Sequence, residues 1–307
     1  MENYGFLLLC SHLGNPDRKP LTTAQLRLLA RRVMDCGPFS EGELTEKTLL
    51  ELGFSPEGAQ HILALLEDQA LLERYLQKAK ARRCTPIQRR DLRYPAAVRK
   101  KLGLDSPGCL WAKGALELLD RPKVAAVGCR VLRPENRDFA YEAARQGFVL
   151  VSGNASGADQ AAQAGCLDSG GQVISVVADA LHSHLEQPNV LYLSEEDYDM
   201  PFSPLRALRR NRVIHALGQV VLVAQSRAGQ GGTWNGTARN LKNRWTPVRV
   251  LDDGSEGAQA LVQLGAAHSG GTIAGSEPAF PQGAEFSGTV APVCRKRPIV
   301  PEGRRRK

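Results

Sequence analysis

The sequence predicts an α/β protein with a doubly wound, mostly parallel sheet, a small helical domain before it and a basic tail after it. Three observations predict this fold. Short apolar runs rich in β-branched residues alternate with helical stretches between residues 124 and 251. The chain before them has helical periodicity, and the chain after them is rich in Gly, Ser and Pro. Unbroken apolar strands separated by helices are typical of a parallel sheet with helices on both faces.

The first 82 residues are predicted to form the helical domain. Thr22 and Thr23 are placed to cap a helix that carries apolar residues at helical spacing. Further helices are predicted over 44–52, 57–66 and 69–82. The stretch LLELGFSPEGAQHILALL loosely resembles a helix-hairpin-helix. Its G-x-G turn is absent, so a plain helical bundle is favoured. A basic, irregular linker is predicted from Arg82 to Lys101.

Residues 83–267 are predicted to form the α/β domain. Its strands are predicted over 124–128, 148–152, 173–178, 190–193, 220–224 and 247–251. Helices are predicted near 134–146, 157–169, 203–217, 233–243 and 257–265. Right-handed crossovers then give a Rossmann-like sheet. Residues 268–307 lack periodicity and are predicted to be a mostly disordered tail.

The charge is concentrated at the end of the chain. Residues 295–307 contain seven Lys and Arg residues against Glu302, a net charge of +6 within a total of +8. The rest of the protein is therefore nearly neutral. The tail is either a solvated end or a non-specific phosphate-binding segment. Any nucleic-acid site on the body has to be a local patch.

Several protein classes are not supported by the sequence. Apolar runs are too short to span a bilayer, and no signal peptide precedes the first helix. The seven cysteines form no C-x-x-C pair, which argues against a disulfide framework or a zinc site and for a cytoplasmic location. There is no H-E-x-x-H or G-x-S-x-G motif. We therefore expect no metal, no cofactor and no catalytic residues.

Candidate binding residues lie where predicted strands end, because ligands of parallel sheets bind at that edge. Gly128-Cys129-Arg130 follows the first strand, and Arg130 offers a planar fork to a phosphate. The loop SGNASGAD follows the second strand. Its Ser152, Gly153 and Gly157 allow close approach of a ligand, and Asp159 is placed to cap backbone amides. The alternative is that each of these segments is an ordinary strand-to-helix turn without a binding role.

Two further segments complete the candidate site. Arg209, Arg210, Asn211 and Arg212 are consecutive, and at least two of them are expected to point outward, where they could bind phosphates. The loop AGQGGT places Gly231 and Gly232 before a helix that carries Lys242, as in a phosphate cradle. Trp234 next to it is either a stacking or a core residue. The acidic run at 195–197 is expected to be a solvated loop.

Taken in order, these segments resemble the DprA/Smf family of bacterial DNA-processing proteins. VAAVGCR (124–130), LVSGNASGAD (150–159) and SGGQVISVVADAL (169–181) are similar to successive family motifs. PFSPLRALRRNRVIHALGQVVLVAQ (201–225) is similar to the family's R-N-R block. Upstream, LRYPAAVRK and CLWAKG also resemble family segments, so that the resemblance covers about 85–252.

The resemblance implies binding of single-stranded DNA, dimerisation through the α/β domain, and loading of the RecA recombinase during natural transformation. It implies no catalytic activity. On the matching positions it points to a DNA pocket formed by Arg130, Ser152, Gly153, Gly157, Asp159, Arg210, Asn211 and Arg212. The sequence departs from the family at Cys129, Asn154, Ser156, Gln163 and the tryptophan-containing loop, and no C-terminal winged-helix module is recognised.

A second interpretation comes from relatives of the same fold. Lysine-decarboxylase-like phosphoribohydrolases carry P-G-G-x-G-T-x-x-E, and AGQGGTWNGTARN has its glycines. The catalytic glutamate is missing, because Gly236-Thr237 is followed by Ala238, Arg239 and Asn240. Nucleotide binding without chemistry is therefore favoured over hydrolysis. A third alternative is a scaffold on which RecA docks through the N-terminal helices.

Overall fold

A computed structural model describes residues 4–35, 44–138 and 148–269. In this part of the chain the strands are β1 (Thr85–Gln88), β2 (Cys109–Gly114), β3 (Lys123–Val127), β4 (Val149–Ser152), β5 (Val173–Val176), β6 (Val190–Ser194), β7 (Val220–Val223), β8 (Val248–Leu251) and β9 (Ala267–Ser269). They form one sheet in the order β1-β2-β6-β5-β4-β3-β7-β8-β9.

The centre of the sheet is parallel and one edge is antiparallel. Strands β3 to β9 all pair in parallel, whereas β2 runs antiparallel to both β6 and β1. All six predicted strands are confirmed, with ends shifted by at most two residues. Strands β1, β2 and β9 were not predicted. The segment predicted to be an irregular linker instead contains β1, because pairing with β2 supplies its backbone hydrogen bonds.

The described helices are α1 (Gly5–Cys10), α2 (Thr23–Asp35), α3 (Glu46–Glu51), α4 (Pro56–Glu67), α5 (Gln69–Ala81), α6 (Ala96–Leu102), α7 (Ala158–Asp168), α8 (Pro204–Leu217), α9 (Gly231–Asn243) and α10 (Glu256–Gln263). The helices predicted near 157–169, 203–217, 233–243 and 257–265 are confirmed. Of the helix predicted over 134–146, residues 134–138 are helical and the remainder lies outside the described residues.

Helices cover both faces of the sheet, as predicted. Residues of α6, α8 and α10 pack with alternate strand residues in one core on one face. Residues of α1, α5 and α7 pack in a second core on the other face. The helices α1 to α4 also share a small core of their own. The N-terminal helices are thus partly a separate bundle and partly a layer on the sheet, and the boundary at 82/83 stays a prediction.

Most of the tail predicted over 268–307 lies outside the described residues. Residues 268 and 269 belong to β9 rather than to a tail, because they pair with β8. The remaining tail residues, 270–307, lie outside the described part of the chain. Within 4–35, 44–138 and 148–269, no helix combines the length and the apolar character needed to cross a membrane.

Candidate nucleic-acid interface

A cavity of about 240 Å³ opens at the carboxyl ends of β4 and β5. This edge is where helix N-termini converge in a parallel sheet and where ligands of this architecture bind. The cavity is lined by Arg130, Gly153, Asn154, Ala155, Ser156, Val177, Ala178, Asp179, Phe202, Ala207 and Arg210. Three of the predicted site residues, Arg130, Gly153 and Arg210, are therefore brought together.

The loop after β4 is fixed by a buried carboxylate. As predicted, Asp159 lies in the first turn of α7, where its Oδ2 accepts hydrogen bonds from the amides of Gly153 (3.1 Å) and Ala155 (3.2 Å). Burial raises the pKa of Asp159, while Arg210 and the two amide hydrogen bonds act in the opposite direction. Asp159 therefore shapes the cavity wall rather than lining it.

Gly157 is required by close contact between two loops. Its φ of +84° lies in the left-handed region, and a Cβ at this position would collide with the backbone carbonyls of Cys129 and Arg130. The amide of Ala158 also donates to the carbonyl of Cys129 (3.2 Å). The loops after β3 and β4 are thereby held together, and this brings Arg130 to the cavity.

Arg210 extends from α8 into the base of the cavity. It is only 6 % exposed, and its Nη1 donates to the carbonyls of Gly153 and Val176. Because burial removes the guanidinium from water, the pKa of Arg210 is lowered, although Asp159 opposes the effect. A side chain at position 153 would collide with the guanidinium, so this position needs glycine. Arg210 thus ties the ends of β4 and β5 together.

The expectation that at least two of the four residues from Arg209 to Arg212 point outward is wrong. Only Arg209 is exposed. Arg212 forms a buried ion pair with Glu195 (2.8 and 3.1 Å) and also donates to the carbonyl of Asp105 (2.6 Å). Glu195 therefore neutralises the charge of Arg212 within the protein. Arg212 is also not among the residues that line the cavity. Asn211 donates to the carbonyl of Gly232 (3.1 Å) and joins α8 to α9.

The acidic run at 195–197 is also not a solvated loop. The Glu195 side chain is 4 % exposed because it pairs with Arg212. Asp197 is buried and accepts a hydrogen bond from the amide of His12 (2.7 Å). These acids have partners that are distant in sequence, and they connect the strand end to α8 and to the N-terminal helices.

Burial, together with the neighbouring Glu195, raises the pKa of Glu196 to about 6 from an ordinary 4.5. The folded protein therefore binds the carboxyl proton of Glu196 more tightly than the unfolded chain does. As a result, this group lowers the free energy of unfolding as the pH rises from about 4.5 to 6. We expect Glu196→Gln to raise the free energy of unfolding at pH 8 by at most about 2 kcal/mol. Urea denaturation at pH 8 and pH 4.5 measures this gain, which should vanish at the lower pH. An equal change at both pH values would contradict the assignment.

The glycine-rich loop does not join the cavity. Gly231, with φ of +82°, and Gly232 begin α9 after β7, and neither lines the cavity. Lys242 lies in the last turn of α9, at the opposite end of that helix. Trp234 is partly buried and packs against the core that α6, α8 and α10 form on one face of the sheet. Ser152 is fully buried at the end of β4 and is not among the residues that line the cavity.

Two important cavity residues were missed by the sequence reasoning. Phe202 precedes α8 and is 57 % exposed. Asp179 follows β5 and presents a carboxylate that is 43 % exposed. Both follow a strand or precede a helix at the carboxyl edge, and that position was the signal available for finding them. Among the described residues, no group of His, Cys, Asp and Glu side chains is arranged to hold a metal ion.

Comparison with known proteins identifies the family. Residues 85–273 match the sequence profile of DNA recombination-mediator protein A, which covers more than half of the chain. The DNA processing protein DprA of Streptococcus pneumoniae is 33 % identical over 181 residues, which cover 53 % of this chain. The match spans 63 % of that relative, less than two thirds of its length.

Two solved structures are similar to this one. The X-ray structure of DprA from Streptococcus pneumoniae superposes with a TM-score of 0.69 at 23 % identity, covering 88 % of this chain and 95 % of its own, and it shows the shared fold. DNA processing protein A from Helicobacter pylori, solved for its single-stranded DNA binding mode, has a TM-score of 0.52 at 28 % identity. It covers 61 % of this chain and 90 % of its own. The family resemblance predicted from the ordered motifs is thus confirmed, and this chain belongs to the DNA recombination-mediator protein A family.

Proposed function

We propose that this protein binds single-stranded DNA at the cavity on the carboxyl edge of β4 and β5. In this proposal it protects incoming DNA in the cytoplasm during natural transformation and recombination, loads RecA onto the strand, acts as a homodimer and has no catalytic activity. Membership of the family and the relatives named for DNA processing and single-stranded DNA binding support the proposal.

The observation that carries the proposal is the pairing of an exposed cation with an exposed ring in one cavity. Arg130 is exposed at the rim, and Phe202 presents its ring in the same wall. Single-stranded nucleic acid is typically held by cations along its backbone and by aromatic rings on which bases stack. The exposed Arg209 lies one residue before Arg210 on α8, with its Nη1 3.9 Å from a carboxylate oxygen of Glu196.

Replacing Arg130 by Ala should weaken binding of an oligothymidine roughly three- to tenfold, because one phosphate contact is lost. Each phosphate contact contributes about 0.7 to the slope of log K against log salt for a single strand, so the slope should become shallower by about that amount. Fluorescence anisotropy of a labelled strand, titrated at several salt concentrations, measures both quantities.

Arg121→Ala is the matched control, because Arg121 is also an exposed arginine but precedes β3 at the opposite edge of the sheet. A full-length variant with the seven tail cations changed to Gln separates the tail from the cavity. Binding that survives in Arg130→Ala but disappears in the tail variant would contradict the proposed site, and so would equal affinity for duplex and single strand.

A further inference from the structure

The loop that follows β1 (residues 89–95, the β1 loop) is a hydrogen-bonded turn with an exposed tip. The amide of Asp91 donates to the carbonyl of Gln88 (2.9 Å), and the amide of Gln88 donates to Oδ2 of Asp91 (2.6 Å). Tyr94 anchors the loop, because it is buried and its hydroxyl donates to a backbone carbonyl (2.9 Å). Leu92 at the tip is fully exposed. The turn therefore holds an apolar side chain out in water.

Two arginines at this loop carry charge that no acid neutralises. Arg93 is exposed beside Leu92, and within the described part of the chain no acid forms an ion pair with it. Arg99 of α6 is exposed as well, and its Nη2 donates to the carbonyl of Asp91 (3.1 Å). The Arg99 guanidinium also lies over the Tyr94 ring, 5.6 Å from the ring centroid. Both planar guanidinium groups are thus placed to bind a phosphate.

The β1 loop lies at the same edge of the sheet as the cavity but outside it. Strand β1 is antiparallel to β2, and β2 is antiparallel to β6, so β1 runs parallel to the central strands and ends at the carboxyl edge. Three strand spacings, about 14 Å, separate β1 from β5. Stacked nucleotides advance about 3.4 Å each along one strand, so roughly four nucleotides cover this distance.

The surface between the two places does not repel a phosphate backbone strongly. Asp105 precedes β2, and Glu195 and Glu196 follow β6, so these acids lie between the cavity and the β1 loop. Each has a cation as its partner: Arg27 at 2.9 Å, Arg212 at 2.8 Å and Arg209 at 3.9 Å, respectively. A strand that leaves the cavity in this direction therefore meets ion pairs first and unpaired arginines at the end.

Exposed arginines bind phosphates, and exposed apolar side chains contact bases that have left a stack. We propose that the β1 loop is a second contact site for the bound single strand, in which Arg93 and Arg99 bind phosphates and Leu92 packs against a base. The strand then extends from the cavity to the β1 edge of the sheet. This inference rests on the proposed binding of single-stranded DNA and adds a site that is separate from the cavity.

The test compares oligothymidines of about four and about sixteen nucleotides, the range of single-strand site sizes in other proteins. A short strand held in the cavity ends before the β1 loop, whereas the long strand reaches it. Anisotropy measures the affinity of the labelled long strand, and competition against it measures that of the short one. The full chain is used, with the tail cations present and changed to Gln, so that the tail does not mask the loop.

Two variants separate the phosphate contact from the base contact. Arg93→Ala should weaken binding of the long strand about three- to tenfold and make its salt dependence shallower by about 0.7. Leu92→Ala should weaken it about two- to fivefold without changing the salt dependence, because the lost contact is apolar. Neither should change the affinity of the short strand. Both side chains are exposed, so the variants should unfold at the wild-type temperature.

The matched controls are Arg121→Ala and Leu185→Ala, which remove an exposed arginine and an exposed leucine at the amino edge of the sheet. Both should bind the long strand like the wild type. Arg130→Ala, in contrast, should weaken both strand lengths.

The outcomes separate this inference from the function on which it rests. Wild-type affinity for the long strand in both β1-loop variants overturns the second contact site, leaves binding at the cavity standing and makes an acidic protein surface the alternative occupant of the loop. An equal loss for short and long strands also overturns it. If the wild type binds neither strand, the proposed function itself is wrong.

Discussion

Arg210→Ala should destabilise the protein by about 3 kcal/mol and abolish measurable binding of single-stranded DNA at the cavity. The guanidinium donates to the carbonyls of Gly153 and Val176, and it lies near the buried carboxylate of Asp159. Its removal leaves buried acceptors unpaired and a buried acid without its cation, which costs this much in other proteins. Urea denaturation and anisotropy titration measure the two effects on the same sample.

Arg210→Lys is the informative comparison. Lysine keeps the positive charge but replaces the planar fork with a single ammonium, so it should recover part of the stability and little of the DNA binding. Gly153→Ala should lower stability as well, because its new side chain collides with the guanidinium. Wild-type stability in Arg210→Ala, with normal binding of the strand, would show that the arginine neither supports the loops nor forms the cavity.

Acidification should destabilise the protein through His215 by up to about 3 kcal/mol between pH 6.5 and pH 4. This histidine is 1 % exposed on α8, and burial lowers its pKa to about 4 from an ordinary 6.5. The unfolded chain therefore takes up a proton that the folded protein does not, and stability falls as the pH decreases through this range. Above pH 6.5 the contribution is fully present.

The measurement is the free energy of unfolding from urea denaturation, taken at pH 7 and at pH 4.5 for wild type and His215→Gln. The variant does not titrate at this position, so its stability should decrease less between the two pH values, whatever its stability at pH 7. His215→Leu tests the same point without a polar group. Parallel pH profiles for wild type and both variants would assign the acid sensitivity to other groups.

The central sheet could be predicted because each strand is an unbroken apolar run between helices. The edge strands lack that signal. Strand β1 contains Pro86, which is tolerated at a sheet edge but argues against a strand in the sequence, and β9 is only three residues long. Both form because a neighbouring strand supplies hydrogen bonds, β2 to β1 and β8 to β9. Neither strand shows in the local sequence, because β1 depends on a partner that is distant in the chain and β9 is itself too short to leave a pattern.

The candidate site could be predicted in part, for a related reason. A cavity at the carboxyl edge could be predicted because topology fixes that edge, and the amide contacts of Asp159 could be predicted because their partners are close in sequence. The buried contacts of Arg210 and Arg212 could not be predicted from the sequence. Arg210 and Arg212 are two residues apart and so lie on different sides of α8. Their partners, Val176 and Glu195, are 34 and 17 residues away, and only the folded chain shows them.

The parallel pairing of β9 with β8 fixes where the basic tail is anchored. Because β9 is parallel to β8, the chain leaves it at the carboxyl edge, the edge that holds the cavity. Four strand spacings separate β9 from β4, about 19 Å in total. The chain beyond Ser269 therefore starts on the same edge of the sheet as the cavity, so a group attached there shares one molecule with the cavity and meets its ligand at a local concentration that does not depend on the protein concentration.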